Sequence, residues 1–147
     1  MGLPRWFSKN AAESPDANPG LRLRISNLTR QTELASCAEL ADHGAARNKG
    51  LLGRASLPPG AGLWIVPCES VHTFFMQFPI DLVYIDRNKR VKKVRSNIGP
   101  WRLSACFSAH SIIELPAGVV KRTETLPGDQ LQISPAPPQN DTSAARP

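Results

Sequence analysis

Long apolar runs are missing from this sequence: none is long enough to cross a bilayer as a helix, and none near Met1 could serve as the core of an export signal. Gly2 is followed by Trp6 where a myristoylation signal needs Ser or Thr. No membrane partner is expected, and the expected location is the cytoplasm. Cysteine is scarce. Cys37, Cys68 and Cys106 are too few, and odd in number, for a disulfide framework, which suits buried and reduced thiols. No internal repeat occurs, and no recognised nucleic-acid-binding motif.

Charge of one sign prevails. The net charge is +6 and the isoelectric point about 9.7, which favours anionic partners only where the cations cluster. They cluster once, in "DRNKRVKKVRS" from Asp86 to Ser96. In a strand Lys92 faces away from Val91, and such a cationic edge discourages pairing with a second chain. The same ribbon, 87–95, could track a nucleic-acid backbone, but no aromatic stacking residues are interleaved with it.

A chain of 147 residues is a single-domain length. Residues 1–20 mix Pro, Asn, Ser and charge without hydrophobic period, and 135–147 are rich in proline; both are expected to be disordered tails. Residues 21–134 are expected to fold as one mostly-β domain, α+β at most, barrel-like or jelly-roll-like with one or two short helices. "LRLRIS" from Leu21 alternates apolar and basic residues as a half-buried strand does. "GLWIVP", "SVHTFFM", "IDLVYID", "RVKKVRS", "SIIELPAG" and "DQLQIS" are further short strand candidates, bounded by Gly, Pro or Asn. "IDRNKRV" predicts a hairpin turning at Asp86 to Lys89. Leu34, Cys37, Ala38 and Ala41 recur at helical spacing and predict a helix ending near Gly44, with a short helical or turn segment following up to Gly50 and Gly53.

Reactive side chains crowd the stretch from Pro67 to Asp86. Cys68 with His72, and Cys106 with His110, have C-x-x-x-H spacing, and thiolate and imidazole are ligands zinc prefers. Residues four apart on a strand lie about 13 Å from one another, however, so neither a shared ion nor a Cys68–His72 dyad is expected there. Cys68 with His110 across strands stays open. No metal or cofactor is expected. Strand alternation puts His72, Phe74 and Met76 on one face. His72 then either lines an outer groove or is a buried, hydrogen-bonded core residue. Asp81 and Glu114 stand among apolar strand residues and need donors, or else their pKa values rise. A general acid–base pair and a set of structural ion pairs both fit these two acids. Arg54 is the expected partner of Asp81 or Glu114.

With these residues in view, the chain resembles the domain of unknown function 192 family of bacteria and archaea. The matching pieces are "KGLLGR" (Lys49 to Arg54), "GLWIVPCESVHTFFM" (Gly62 to Met76), "PIDLVYID" (Pro79 to Asp86), "RVKKV", Pro100, "IIELPAG" (Ile112 to Gly118) and "PGDQL" (Pro127 to Leu131). The common family pattern resembles T-F-W-M-K-N-T; here His72 begins His-Thr-Phe-Phe-Met-Gln-Phe, similar to a C-x-x-V-H-T-F branch. Any role of the Trp or Lys of the common form therefore does not transfer. The resemblance implies a small barrel-like or jelly-roll-like β fold, and it implies that "ELASCAELAD" is extended, against the local helical spacing. It brings no activity, cofactor or substrate.

The expected function is a non-enzymatic ligand-binding or accessory module for a small molecule, sugar or peptide, with His72, Thr73, Met76, Gln77 and Trp101 as its groove. The alternatives are a small hydrolase or transferase using His72 with Asp81 or Glu114, and nucleic-acid binding through 87–95.

Overall fold

The computed structural model describes residues 21–138, so the expected tail 1–20 and the greater part of the tail 135–147 lie outside the described residues. Among the described residues nine strands and two short helices follow in order: β1 (Leu23–Asn27), β2 (Thr32–Ala41), α1 (Gly44–Lys49), β3 (Ala61–Ile65), β4 (Ser70–His72), β5 (Ile80–Ile85), β6 (Val91–Ile98), β7 (Leu103–Ala105), β8 (Ser111–Pro116), α2 (Val119–Thr123) and β9 (Leu131–Pro135). Seven strands form one sheet in the order β6-β5-β8-β3-β2-β1-β9, while β4 and β7 make a separate two-stranded ribbon. Among the described residues only β2 and β3 pair in parallel. The outer strands β6 and β9 approach one another at a bridge between Arg90 and Gln130, where Val91 N donates to Asp129 O at 2.9 Å and Leu131 N to Lys89 O at 2.9 Å. The sheet thus curls into a half-barrel and is mostly β, as the short β-branched runs predict.

The helical reading of residues 34–41 is corrected: β2 is a strand. Its pairing with β1 shifts twice, from Leu23↔Ala38 to Ile25↔Ala35 and from there to Ser26↔Glu33, so that β2 carries an extra residue at each step. Each bulge flips the alternation. Two flips turn a period of two into the burial of Leu34, Ala35, Ala38 and Ala41, which imitates helical spacing. Gly44 opens α1 rather than closing a helix.

The curled sheet buries an apolar cluster on each face. One contains Ile25, Leu34, Val83, Ile113 and Leu115 with Val119 and Val120 of α2. The other contains Leu51, Ile65, Leu82, Tyr84 and Ile112, and the ribbon packs on it through Val71, Cys68 and Cys106. Every residue of β5 is buried because the strand lies between β6 and β8 and its alternate side chains enter the two clusters. The hairpin to β6 turns where predicted. Asp86 Oδ1 accepts Asn88 N at 2.9 Å and Arg90 N at 3.0 Å, an Asx-type turn. On the edge strand β6, Val91 is buried and Lys92 exposed.

Candidate functional site

Register decides what the two strand carboxylates can do. Strands β5 and β8 pair with Leu82 opposite Glu114 and Asp81 opposite Leu115. Residues directly opposite share a face and neighbours along a strand do not, so Asp81 and Glu114 lie on opposite faces of the sheet. They cannot form an acid–base pair. Asp81, fully buried, accepts Asn97 N at 2.7 Å on one oxygen and Gly118 N at 3.1 Å and Val120 N at 2.8 Å on the other. It closes the start of α2 from the strand next to β8, on the same face of the sheet, a structural duty that fills both oxygens.

Glu114 is on the other face, beside Leu63 and Leu82, and is 4% exposed. Its Oε2 has no hydrogen-bond partner among the described residues. Burial pushes its carboxyl from 4.5 up to about 7, and the positive charge of Arg54 opposes that rise. The expected ion pair with Arg54 does not form. Arg54 donates instead to Glu39 at 2.7 Å, and neither Asp81 nor Glu114 lies within ion-pair distance of it. The chain from Gly50 to Arg54 directs the guanidinium to β2, away from the carboxyl it was expected to neutralise.

Glu114 forms the floor of a cleft of about 360 Å³, walled by α1 and Gly50 on one side and by the segment from Pro67 to His72 on the other. Gly50 has φ +48, and a Cβ placed there would stand 3.7 Å from Glu114 Oε2, so glycine keeps the floor open and permits the left-handed turn out of α1. Arg47 and Lys49, in the last turn of α1, line the rim; Leu51, Ile65 and Met76 supply apolar wall. The Arg47 guanidinium is held by the carbonyl oxygens of Asp42, at 2.9 Å, and Val66, at 3.4 Å. Neither Arg47 nor Gly50 was expected at a site. The only sequence signal for this wall is that "KGLLGR" recurs in the resemblance, since a basic residue in a short polar helix otherwise reads as a solvated surface.

Cys68 and His72 both line the cleft without a hydrogen bond between them. The Cys68 thiol donates to Ser70 O at 3.2 Å, and burial pushes its pKa up, which keeps it a thiol rather than a nucleophilic thiolate. Its link to His110 is through the main chain only, Cys68 N to His110 O at 3.0 Å, and the Cys106 sulfur meets Ser108 Oγ at 3.4 Å. Among the described residues no group of three or more His, Cys, Asp or Glu could hold a metal ion.

The expected five-residue groove divides. "SVHTFFM" is not extended throughout: β4 ends at His72 and Phe75 adopts φ +64, so alternation along it fails. His72 is exposed, stacks on Phe74 at 5.0 Å and lines the cleft. The turn that carries Met76 N to Thr73 O at 3.2 Å brings Met76 back to the same cleft. Thr73 is buried and lies outside the cleft wall; its hydroxyl donates to Gly99 O at 2.7 Å and accepts Arg102 N at 2.9 Å. Gln77 is exposed and outside the cleft wall. Trp101 is 57% exposed and stacks on Phe74 at 5.5 Å, with Phe75 against its edge at 4.6 Å, so it belongs to an aromatic ladder leading away from His72.

The basic ribbon is partly occupied with its own protein. Lys89 lies over the Trp64 ring, Arg90 donates to Gly128 O at 2.9 Å, and Lys93 donates to Ala105 O at 2.8 Å while lying over Tyr84. No helix among the described residues is long and apolar enough to cross a membrane.

Comparison with known proteins agrees with this architecture. The family model of domain of unknown function 192, described as Uncharacterized ACR, matches residues 26–133. A UPF0127 protein of Pyrococcus furiosus is 30% identical over 112 residues, covering 72% of this chain and 94% of that one. A UPF0127 protein of Pyrococcus horikoshii is 33% identical over 114 residues, covering 74% and 96%. Two solved structures share the fold at a TM-score of 0.66: a protein of unknown function from Novosphingobium aromaticivorans, 19% identical, covering 76% of this chain and 83% of that one, and a Sinorhizobium meliloti protein named as a candidate transcription regulator, 25% identical, covering 76% and 92%.

Proposed function

This chain belongs to the domain of unknown function 192 family, and from that premise we propose that it is a non-enzymatic module that binds a small polar ligand in the cleft floored by Glu114. The observation that carries this reading is the unpartnered Oε2 of a carboxyl that is otherwise buried. An unsatisfied buried polar group costs about 1–3 kcal/mol, and a ligand hydroxyl or amine donating to that oxygen would recover it. An apolar wall with a few placed polar groups is the usual make-up of a small-molecule site. A thermal-shift screen of sugars, nucleotides, amines and peptides tests it on wild type, Glu114→Leu and His72→Ala. The expected hit stabilises wild type, by about 2.7 kcal/mol at a hundredfold excess over Kd, and leaves Glu114→Leu unmoved. A compound library that shifts both proteins equally, or neither, removes the reading.

His72 and Glu114 lining one cleft favour a second reading, a hydrolase or transferase, because a carboxyl titrating near neutrality suits general acid–base work. Turnover of a substrate found in the screen, reduced about a hundredfold or more by Glu114→Gln with binding retained, would support it over simple binding. Nucleic-acid binding through Arg87, Lys92 and Arg95 draws on the name of the Sinorhizobium meliloti neighbour. Oligonucleotide retention that weakens steeply with salt is its test.

A further inference from the structure

Six large apolar side chains are exposed among the described residues, and four of them, Phe75 (71%), Trp101 (57%), Leu103 (72%) and Phe107 (81%), belong to the β4–β7 ribbon and its end loops. Their arrangement follows from the ribbon's pairing. His72 stands opposite Leu103 and Ser70 opposite Ala105, while Ser104 between them is buried. Leu103 therefore faces outward with His72 on one surface of the ribbon. Trp101 and Phe75 stand at one end of that surface, and Phe107 follows its other end. A shallow hollow lined by Val71, His72 and Leu103 runs along it.

The projecting aromatics are held rather than loose. Phe75 and Trp101 have φ of +64 and +63, a left-handed conformation that bulky residues seldom adopt. Thr73 fixes both loops: its carbonyl accepts Met76 N at 3.2 Å and Trp101 N at 3.1 Å, its amide donates to Arg102 O at 2.9 Å, and its hydroxyl bonds Gly99 O and Arg102 N. Phe74 supports Trp101 from beneath. Backbone strain maintained by surrounding bonds to keep two aromatic rings in solvent marks a surface with a use.

Charge indicates what that use is. Arg102 stands between Trp101 and Leu103, and both it and Arg95 are exposed. Lys93, bonded to Ala105 O, ties β6 against the ribbon, and Arg95 two residues on lies on the same strand face. From Ser70 to His110 the carboxylates are Asp81, buried, and Asp86, engaged in its hairpin turn. Glu69, the exposed acid next to the ribbon, lines the cleft. A chain of net charge +6 disfavours a second copy of itself as the occupant. An exposed Trp101–Phe75 pair, with exposed Leu103 and Phe107 further along and Arg102 beside them, matches the headgroup region of an anionic bilayer, where an amphipathic ring and a cation are both favoured.

We propose that the outer face of the β4–β7 ribbon docks on anionic lipid, with Phe75, Trp101, Leu103 and Phe107 entering the headgroup layer and Arg102 meeting lipid phosphates. The surface is peripheral: it lies on the bilayer and does not cross it. It stands independently of the ligand reading of the cleft.

The test is cosedimentation of the full chain with vesicles of phosphatidylglycerol and phosphatidylcholine, against phosphatidylcholine alone, in a Trp6→Phe, Trp64→Phe background that leaves Trp101 as reporter. The expected result is partitioning to the anionic vesicles that weakens with salt, with Trp101 emission shifting to the blue and quenched by brominated acyl chains. Trp101→Ser with Phe107→Ser is expected to lower partitioning about tenfold or more, and Arg102→Glu to lower it selectively on anionic vesicles. Near-ultraviolet circular dichroism and thermal midpoints confirm that the variants are folded. The proposal is overturned by failure to partition in dilute buffer, by partitioning of the Ser variant equal to wild type, or by binding that leaves Trp101 emission unchanged. A dimer split by Leu103→Arg, with vesicles ignored, overturns it in favour of a protein partner.

Discussion

At Glu114 a carboxyl is buried without a partner among the described residues, and the physical consequence is a pH dependence with a definite sign. Its folded pKa, about 7, lies above the ordinary 4.5, so between these values the folded chain holds a proton that the unfolded chain has lost. Stability from this group therefore falls as pH rises from about 4.5 to about 7 and is level above. Denaturant titrations across that range should show the decline, worth at most about 3 kcal/mol, and Glu114→Gln should abolish it and exceed wild type in stability at pH 8. Asp81 is the opposite case. Both its oxygens are filled by backbone N–H groups, so Asp81→Ala should destabilise by about 3 kcal/mol or more in the same measurement, with α2 as the first element to lose hydrogen-exchange protection. The sequence told that two acids stand among apolar strand residues. It did not tell that they face opposite sides, because that depends on how β5 and β8 are registered. Arg54's choice of Glu39 was hidden for the same reason: complementarity of charge has no direction until the backbone supplies one.

The strands were the most legible elements, because β-branched and aromatic residues bounded by Gly, Pro and Asn mark a pleated, half-buried backbone wherever it lies. Two elements misled. In β2 a pair of bulges produced helical spacing, and only the pairing with β1 reveals them. In "SVHTFFM" the apolar composition continues past the point where the strand ends, since Phe74 and Phe75 serve a loop ladder and not a sheet face. Thr73→Val would remove a hydroxyl that bonds Gly99 O and Arg102 N at the junction of those loops. It should cost about 1–3 kcal/mol and release Trp101, seen as a fall in its fluorescence anisotropy. A tighter constraint sits at Gly62, where a Cβ would come 3.1 Å from Leu115 Cδ2 and 3.2 Å from Glu114 O. Gly62→Ala should therefore lower the denaturation midpoint by about 1–3 kcal/mol equivalent, the usual penalty of overpacking where β3 crosses close to β8.

Closure of the half-barrel rests on the seam between β6 and β9, and there the "PGDQL" segment acquires a physical role. Asp129 accepts Leu126 N at 3.0 Å, Asn27 Nδ2 at 2.9 Å and Arg30 Nε at 3.0 Å, while its own carbonyl accepts Val91 N. Burial by itself would raise its pKa; the bonds from Arg30 and Asn27 outweigh this and hold it below the ordinary 3.8. The folded chain thus holds fewer protons than the unfolded one in that range, so this contribution is present above pH 3.8 and lost as pH falls through the folded value. Asp129→Ala should destabilise by about 2–4 kcal/mol at neutral pH and by less in acid, and hydrogen exchange should show β9 opening before β5. By itself the sequence determined the β class, the hairpin at Asp86, the cationic edge of β6 and the family, since each follows from local periodicity, turn chemistry or a string of residues in order. Tertiary structure alone decided that Glu114 and not Asp81 opens onto a cleft, that Arg47 and Gly50 frame it, and that Trp101 belongs to an exposed ladder. Those are matters of which strands are neighbours and in what register, and no spacing along a single chain records the distance between residues that the fold brings together.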